Sequence, residues 1–219
     1  MIHFKLPSFC QTSLRPMLWA LALSAGALSG CAPLMVGGMV GGSVAVAADR
    51  RTSGTQLEDQ NIEIKAGSRV HDVTGERSGV AVLSYNRVVL LAGSVNTEEK
   101  KVAIEQAVTK IPQVRSVVNE LEVGPTFTSN FSDSVITSKV KATFFDAKDL
   151  QSNALKVFTD RGVVYLMGRV TEREADRATE LARGISDVKK VVRAFELVTD
   201  AELADMQPGR APGTATNNP

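Results

Sequence analysis

The stretch RVVLLAGSVNTEE, residues 87–99, is met again about 75 positions later as GVVYLMGRVTERE, residues 162–174. Gly93 falls on Gly168 and Val95 on Val170. A second matched pair follows in the same order, IPQVRSVVNELEV from Ile111 and ISDVKKVVRAFEL from Ile185. Two blocks repeated in one order imply two copies of one small domain.

The runs VVLLAG and VVYLMG are apolar throughout, as expected of a central strand flanked on both sides and covered on at least one face. A strand, VAVLSY or LKVFTD, and a short turn precede each run. Further upstream, apolar residues recur at every fourth position, Ile62, Ala66 and Val70 in copy one and Ile136, Val140 and Phe144 in copy two, which predicts a helix. A second helix starts near Thr97 or Thr171, and a closing strand carries VVNELEV or VVRAFEL. The order is αββαβ, an antiparallel hairpin followed by a right-handed parallel crossover. The expected fold class is α+β: two tandem αββαβ domains, each a small three-stranded mixed sheet with two helices packed on it.

Gly93 and Gly168 read as backbone devices where a strand turns into a helix and a side chain would obstruct. Thr171-x-x-Glu174 has the spacing of a capping box, and Asn96-x-x-Glu99 occupies the matching place with asparagine as cap. The pairs Glu98 and Glu99, and Glu172 and Glu174, are then explained as acids at helix starts, where the dipole favours them, and need not be catalytic.

The beginning of the chain has a different character. Lys5 and Arg15 and no acid stand before the apolar run 17–28, the layout of a signal peptide and too short for a spanning helix, which needs roughly 20 residues. LSGC, residues 28–31, resembles a bacterial lipobox, so Cys31 is expected to become the first mature residue, with a diacylglycerol on its thiol and an acyl chain on its nitrogen. Cys10, the only other cysteine, lies in the part to be removed. Two or three acyl chains hold a bilayer far more firmly than one. By likeness to lipoproteins generally, Ala32 after the cysteine favours the outer membrane. The domain plan is therefore a signal peptide over 1–30, a lipidated glycine-rich tether over 31–56, domains over 57–124 and 132–199 joined by the linker 125–131, and a disordered tail over 200–219. The tether holds two small-xxx-small pairs, Gly37 with Gly41 and Gly38 with Gly42, and reads as a pliable link beside the lipid.

Charge and counting exclude several functions. The chain carries 25 Lys and Arg against 24 Asp and Glu, and removing residues 1–30 takes away Lys5 and Arg15, leaving a net charge of −1. Nucleic acid binding through bulk charge is unsupported. His71 is the one histidine left after cleavage, placed where a helix ends, and with Cys31 acylated there is no basis for a Ser-His-Asp or Cys-His arrangement or a metal site. No catalytic residue, metal or cofactor is expected beyond the acyl chains, and the chain reads as non-enzymatic.

Binding remains, and here the copies differ. Along SDSVITSKVKATFFDAK, residues 132–148, a step of about 100° per residue gathers Ile136, Val140 and Phe144 on a core face. Val135, Ala142 and Phe145 fall away from it, flanked by Lys139, Lys141 and Lys148. An exposed apolar strip bordered by lysines suits a helix lying on an anionic bilayer surface. The plainer alternative has Phe145 packed against the other copy and the lysines as a solvated face. The matching stretch of copy one, EDQNIEIKAGSRVHD, opens with acids and carries Gly67 mid-helix, a poorer membrane contact.

The αββαβ order, the glycine closing the central strand and the Val-Val closing strand resemble the BON domain. Two copies after a lipobox, with RRTSGTQLEDQ before copy one and LMGRVTEREA in copy two, resemble the dual-BON outer-membrane lipoproteins of the DolP type. The resemblance implies a protein on the periplasmic face of the outer membrane, phospholipid binding by the second domain, and a part in the membrane barrier with enrichment at the division site. A rival reading is an adaptor whose ligand is an envelope protein, such as outer-membrane assembly machinery, or the cell wall.

Overall fold

The structure is a computed structural model, and it describes residues 49–75, 79–125 and 131–206. The expected signal peptide, Cys31 and the glycine pairs of the tether lie outside the described residues, as do residues 126–130 of the linker and 207–219 of the tail.

Copy one comprises α1 (Ser53–Thr74), β1 (Gly79–Tyr85), β2 (Val88–Val95), α2 (Glu98–Thr109) and β3 (Ser116–Val123). Copy two repeats it as α3 (Phe131–Asp146), β4 (Leu155–Asp160), β5 (Val163–Val170), α4 (Glu172–Arg183) and β6 (Lys190–Leu197), with a 3-10 turn, Ser152–Ala154, before β4. Each sheet has its hairpin antiparallel and its crossover parallel, with β2 or β5 in the centre. Two tandem αββαβ units with three-stranded mixed sheets are what the sequence implied.

The central strands are apolar throughout because both of their faces are covered. Val89, Leu91 and Val95 of β2 point to α1 and α2, meeting Ile62, Ala66, Val70, Ile104 and Val108. Val164 and Leu166 of β5 meet Ile136, Val140, Phe144, Ala178 and Ala182 in the same way. The alternate residues, Leu90 and Ala92 of β2 and Tyr165 and Met167 of β5, form a third core with Tyr85, Val192 and Ala194. The two sheets therefore pack face to face, with a helix layer outside each. Strand residues alternate between faces, so one run of sequence serves both cores. All three cores draw only on residues 49–206, so a chain lacking its first 31 residues keeps every contact described.

Reciprocal polar contacts border the sheet-to-sheet core. The first turn residue of each hairpin reaches an acid near the end of the other copy's last strand: Asn86 donates to Glu196 at 2.6 Å, and Arg161 pairs with Glu122 at 3.0 Å. Arg115 also pairs with Glu196 at 2.8 Å, and Lys156 of β4 reaches Glu63 of α1 and the carbonyl of Ser84. The crossed pattern makes the interface pseudo-two-fold, the isologous arrangement of a dimer built within one chain.

Three details depart from the sequence reading. Gly93 and Gly168 lie inside β2 and β5, and what they accommodate is backbone at the entry to the neighbouring edge strand, not the start of a helix: a Cβ at Gly93 would stand 1.9 Å from the carbonyl oxygen of Gly79 in β1, and one at Gly168 would stand 2.4 Å from that of Ala154, the turn residue just before β4. The cap of α2 is Thr97 and not Asn96; its hydroxyl accepts from the N–H of Lys100, so no Asn96-x-x-Glu99 box forms. The boundaries also shift, because α1 begins at Ser53, within the segment expected as tether, and residues 200–205 form α5 (Asp200–Asp205), where a disordered tail was expected. A capping box between Thr199 and Glu202 starts α5. The box at Thr171 and Glu174 is formed in full.

Two glycine substitutions should act in opposite directions. Gly93→Ala, at φ 116° with backbone 1.9 Å from the new methyl, should destabilise by about 3 kcal/mol or more, or prevent folding. At Gly67, in mid-helix, a methyl group would meet nothing within 4 Å, and Gly67→Ala should stabilise by about 1 kcal/mol. Thermal unfolding of the two variants measures both.

Candidate functional site

The outer face of α3 is the surface that sets copy two apart. Asp133, Ile136, Val140 and Phe144 turn inward. On the opposite side, Phe131, Val135, Ser138, Ala142 and Phe145 form one stripe, spaced by three and four residues and all exposed. Phe131 is 85% exposed, Phe145 80% and Val135 37%, so Phe145 does not pack between the copies and the plainer reading of it fails. Phe131, which begins the helix, extends the stripe beyond the residues the sequence reading named, although its place seven residues before Ser138 continues the same spacing. The one exposed acid of α3 is its last residue, Asp146.

Lys139 and Lys141 stand on either side of the stripe and both are exposed, as is Lys148 beyond the helix end. They are not equivalent. Lys139 donates to the hydroxyl of Ser186 at 3.1 Å and stands 3.9 Å from Asp187, whereas Lys141 and Lys148 have no carboxylate partner among the described residues. Lys141 borders a groove of about 380 Å³ between α3 and β4. Phe144, Leu155 and Val157 supply its apolar wall, Phe145 its outer lip, and Ser152 and Asn153 of the 3-10 turn its polar end.

Elements distant in sequence hold this surface in place. Arg50 is buried, donates to both oxygens of Glu174 at 2.6 and 2.8 Å and to the carbonyl of Arg169 at 2.6 Å, and reaches the Gln151 side chain beside the groove. Arg51 pairs with Asp59 at 2.8 Å and lies 4.1 Å from the ring centre of Tyr85. Residues 49–51, expected as tether, thus clasp both copies. Glu174 has a second duty beyond the cap that the sequence suggested, since it also receives Arg50.

Within each copy a buried aspartate of the first helix holds the hairpin. Asp59 accepts from the backbone N–H groups of Asn86 and Arg87 at 2.8 and 2.7 Å, and Asp133 from those of Arg161 and Gly162 at 3.0 and 2.9 Å. All four turn residues have positive φ, as a tight two-residue hairpin turn needs. Sequence reasoning missed both residues. Their signal was available: each stands three positions before the first core residue of its helix, Ile62 or Ile136.

Among the described residues no group of three His, Cys, Asp or Glu side chains could hold a metal, and no helix is long and apolar enough to cross a membrane. His71 is exposed in the last turn of α1. Burial pushes the Tyr85 and Tyr165 hydroxyls up to about 12, so both stay neutral in the core between the sheets.

Residues 58–125 and 132–199 each match the BON domain. The chain belongs to the BON-domain family. It is 37% identical over 185 residues to the outer membrane lipoprotein DolP of Haemophilus influenzae, covering 80% of this chain and 94% of that protein, and is a DolP-like dual-BON protein. It is also 28% identical over 154 residues to a 21 kDa hemolysin of Actinobacillus pleuropneumoniae, covering 68% of this chain and 79% of that one. Identity to the osmotically-inducible protein Y of Escherichia coli is 27% over 144 residues, with 63% and 72% covered. Between the two BON domains of this chain the outer face of the first helix differs locally: at the positions of Lys141 and Phe145, the first domain has Gly67 and His71.

Three buried or half-buried carboxylates make the assembly sensitive to acid. Burial alone would raise Asp59, Glu174 and Glu196; the N–H of Arg87 and the Ser84 hydroxyl at Asp59, Arg50 at Glu174, and Arg115 with Asn86 at Glu196 outweigh it and hold each below the usual carboxylate range. A carboxylate depressed in the folded state lends stability that is complete above its unfolded pKa, near 4, and is lost as pH falls through the folded value. The melting temperature should therefore be flat from pH 8 to about 5 and fall steeply below about 4. Glu174→Gln, which leaves Arg50 buried without its counter-charge, should cost about 3–5 kcal/mol at neutral pH.

Proposed function

We propose that this protein is a non-enzymatic outer-membrane lipoprotein, anchored by acyl chains on Cys31 and facing the periplasm, that binds anionic phospholipid through α3 of its second BON domain and so supports the integrity of the outer membrane. The observation that carries the reading is the exposed stripe of Phe131, Val135, Ala142 and Phe145 on the side of α3 away from the core, with Lys139 and Lys141 at its edges. The aromatic and aliphatic groups would enter the acyl boundary while the ammonium groups meet phosphates. Similarity to DolP, whose name places it in the outer membrane as a lipoprotein, supports the location. The anchor rests on the lipobox alone.

A second reading is favoured by a different surface. Leu57 and Ile64 of α1 are 60% and 72% exposed on the outer face of the first domain, where Lys65 matches Lys139 but Gly67 stands in place of Lys141. An apolar face with one flanking lysine, Lys65, instead of two suits a protein partner in the envelope better than a lipid surface, so the first domain is the place for an adaptor role.

Flotation with vesicles separates the readings, using the chain from Ala32 so that acylation cannot contribute. It should float with vesicles rich in phosphatidylglycerol and not with phosphatidylcholine alone, and release as salt rises through one Debye length of screening, about 10 Å at 0.1 M. Lys141→Gln should weaken binding about five-fold, the worth of roughly 1 kcal/mol per cation at an anionic surface. Lys139→Gln should weaken it less, because that ammonium already faces Asp187. A folded Lys139→Gln, Lys141→Gln, Phe145→Ser triple variant that floats as well as the parent would refute the reading.

A further inference from the structure

We infer that the second BON domain carries a built socket for a guanidinium group, that Arg50 fills it, and that this single plug couples the seating of the entry strap, residues 49–51, to the pairing of the two domains. The inference concerns the joint between the domains and involves no lipid, so it is independent of the membrane reading above.

The socket is made by the second domain alone. Glu174 is buried and is placed by its own helix, because its Oε2 accepts from the N–H of Thr171 at 3.0 Å in the capping box that starts α4. The Arg169 carbonyl near the end of β5 and the Gln151 side chain complete the ring of acceptors. Arg50 meets all three, with a two-pronged contact to Glu174 at 2.6 and 2.8 Å and a bond to the Arg169 carbonyl at 2.6 Å, and only 5% of its side chain is left exposed. A planar fork received by a carboxylate in this way fixes direction as well as distance, which an ammonium group does not do. Acceptors already held by the second domain need not be ordered when the guanidinium enters, which lowers the cost of seating it.

The plug is carried by the first domain. Arg51 pairs with Asp59 at 2.8 Å and lies over the Tyr85 ring, and Thr52 caps α1 by accepting from the N–H of Thr55, so the strap is fixed to the first domain from one residue beyond Arg50. Neighbouring Cα atoms are about 3.8 Å apart, so Arg50 reaches Glu174 only while the second domain lies against the first. Seating of the strap and pairing of the domains therefore strengthen each other by the same factor. The contact is also where the pseudo-two-fold relation breaks. Gly124 and Pro125 stand in copy two where copy one has Arg50 and Arg51, and Glu99, in the place of Glu174, is exposed because Thr97 caps α2. The core between the sheets is largely aliphatic, and apolar burial is non-directional, so the fork at Glu174 supplies a register that the apolar faces do not. On the lipoprotein reading, tension from an anchor at Cys31 would reach Arg50 before α1, at the contact that joins the domains.

The test uses the chain from Ala32, which has no cysteine, with one thiol introduced at a time: Ala92→Cys in the core between the sheets, or Ala66→Cys between α1 and its own sheet, both positions fully buried. The rate of reaction with dithionitrobenzoate under native conditions reads how often each core opens. Adding Arg50→Ala should speed labelling at position 92 by about ten-fold or more, because a buried carboxylate has lost its partner, and should change labelling at position 66 by about two-fold or less. Ethylguanidinium, which replaces the deleted atoms, should slow labelling at position 92 again, and ethylammonium at the same concentration should not. If Arg50→Ala does not fold, Arg50→Lys, which keeps the charge and loses the fork, takes its place, and labelling should again rise at position 92 and not at 66. Equal acceleration at both positions would make Arg50 a general stabiliser and overturn the coupling. Unchanged labelling at position 92 in a folded variant would overturn it as well, and equal rescue by ethylammonium would overturn the guanidinium socket.

Discussion

The arrangement depends on the burial of one face of each sheet against the other. Leu90, Ala92, Tyr165 and Met167 cannot be covered by the helices of their own domains, which already occupy the opposite faces of β2 and β5. A lone BON domain of this sequence would leave that face in water, losing roughly 25 cal/mol for each Å² of apolar surface that pairing removes. Pairing the sheets resolves this, and it determines which surfaces are left. The helices end up outermost, α1 and α2 on one side and α3 and α4 on the other. With sheets ~10 Å apart and helices ~10 Å thick, the outer faces of α1 and α3 are separated by roughly 30 Å or more. One helix layer can lie on a bilayer while the other looks away from it.

That separation allows two copies of one fold to diverge. Both keep the aspartate under the hairpin, the crowded glycine of the central strand and the reciprocal contact from hairpin to opposite strand, all of which serve folding. The outer helix faces are not constrained by packing and differ freely, with Lys141, Ala142 and Phe145 where the first domain has Gly67, Ser68 and His71. The clasp at Arg50 and Arg51 adds a further asymmetry, because the segment nearest the expected lipid anchor is pinned to the second domain by a buried pair and to the first by Asp59.

The repeat, the αββαβ order and the core positions were legible in the sequence because each rests on local periodicity, and the exposed side of α3 followed from the same 100° step. What was not legible depended on contacts between distant segments. The apolar run of β2 predicted cover on at least one face but could not say that the other face is also covered, or that β5 covers it. Gly93 was recognisable as a residue with no room for a side chain, while the obstructing atom, the Gly79 carbonyl, belongs to a strand paired with it. Arg50 looked like part of a tether because nothing near it in sequence shows its partner Glu174, which is 124 positions away. Thr97 replaced Asn96 as cap by a shift of one residue, a difference decided by hydroxyl geometry and not by composition.

The central claim, that one outer helix layer meets the membrane and the other does not, is tested most directly by depth measurement. The chain from Ala32 has no cysteine, so single spin labels can be placed at the matched exposed positions Ser68 and Ala142 by Ser68→Cys and Ala142→Cys. With phosphatidylglycerol vesicles, the label at 142 should become accessible to oxygen and shielded from a water-soluble nickel complex, while the label at 68 stays in water. Both labels remaining aqueous, or the label at 68 entering the bilayer, would contradict the account.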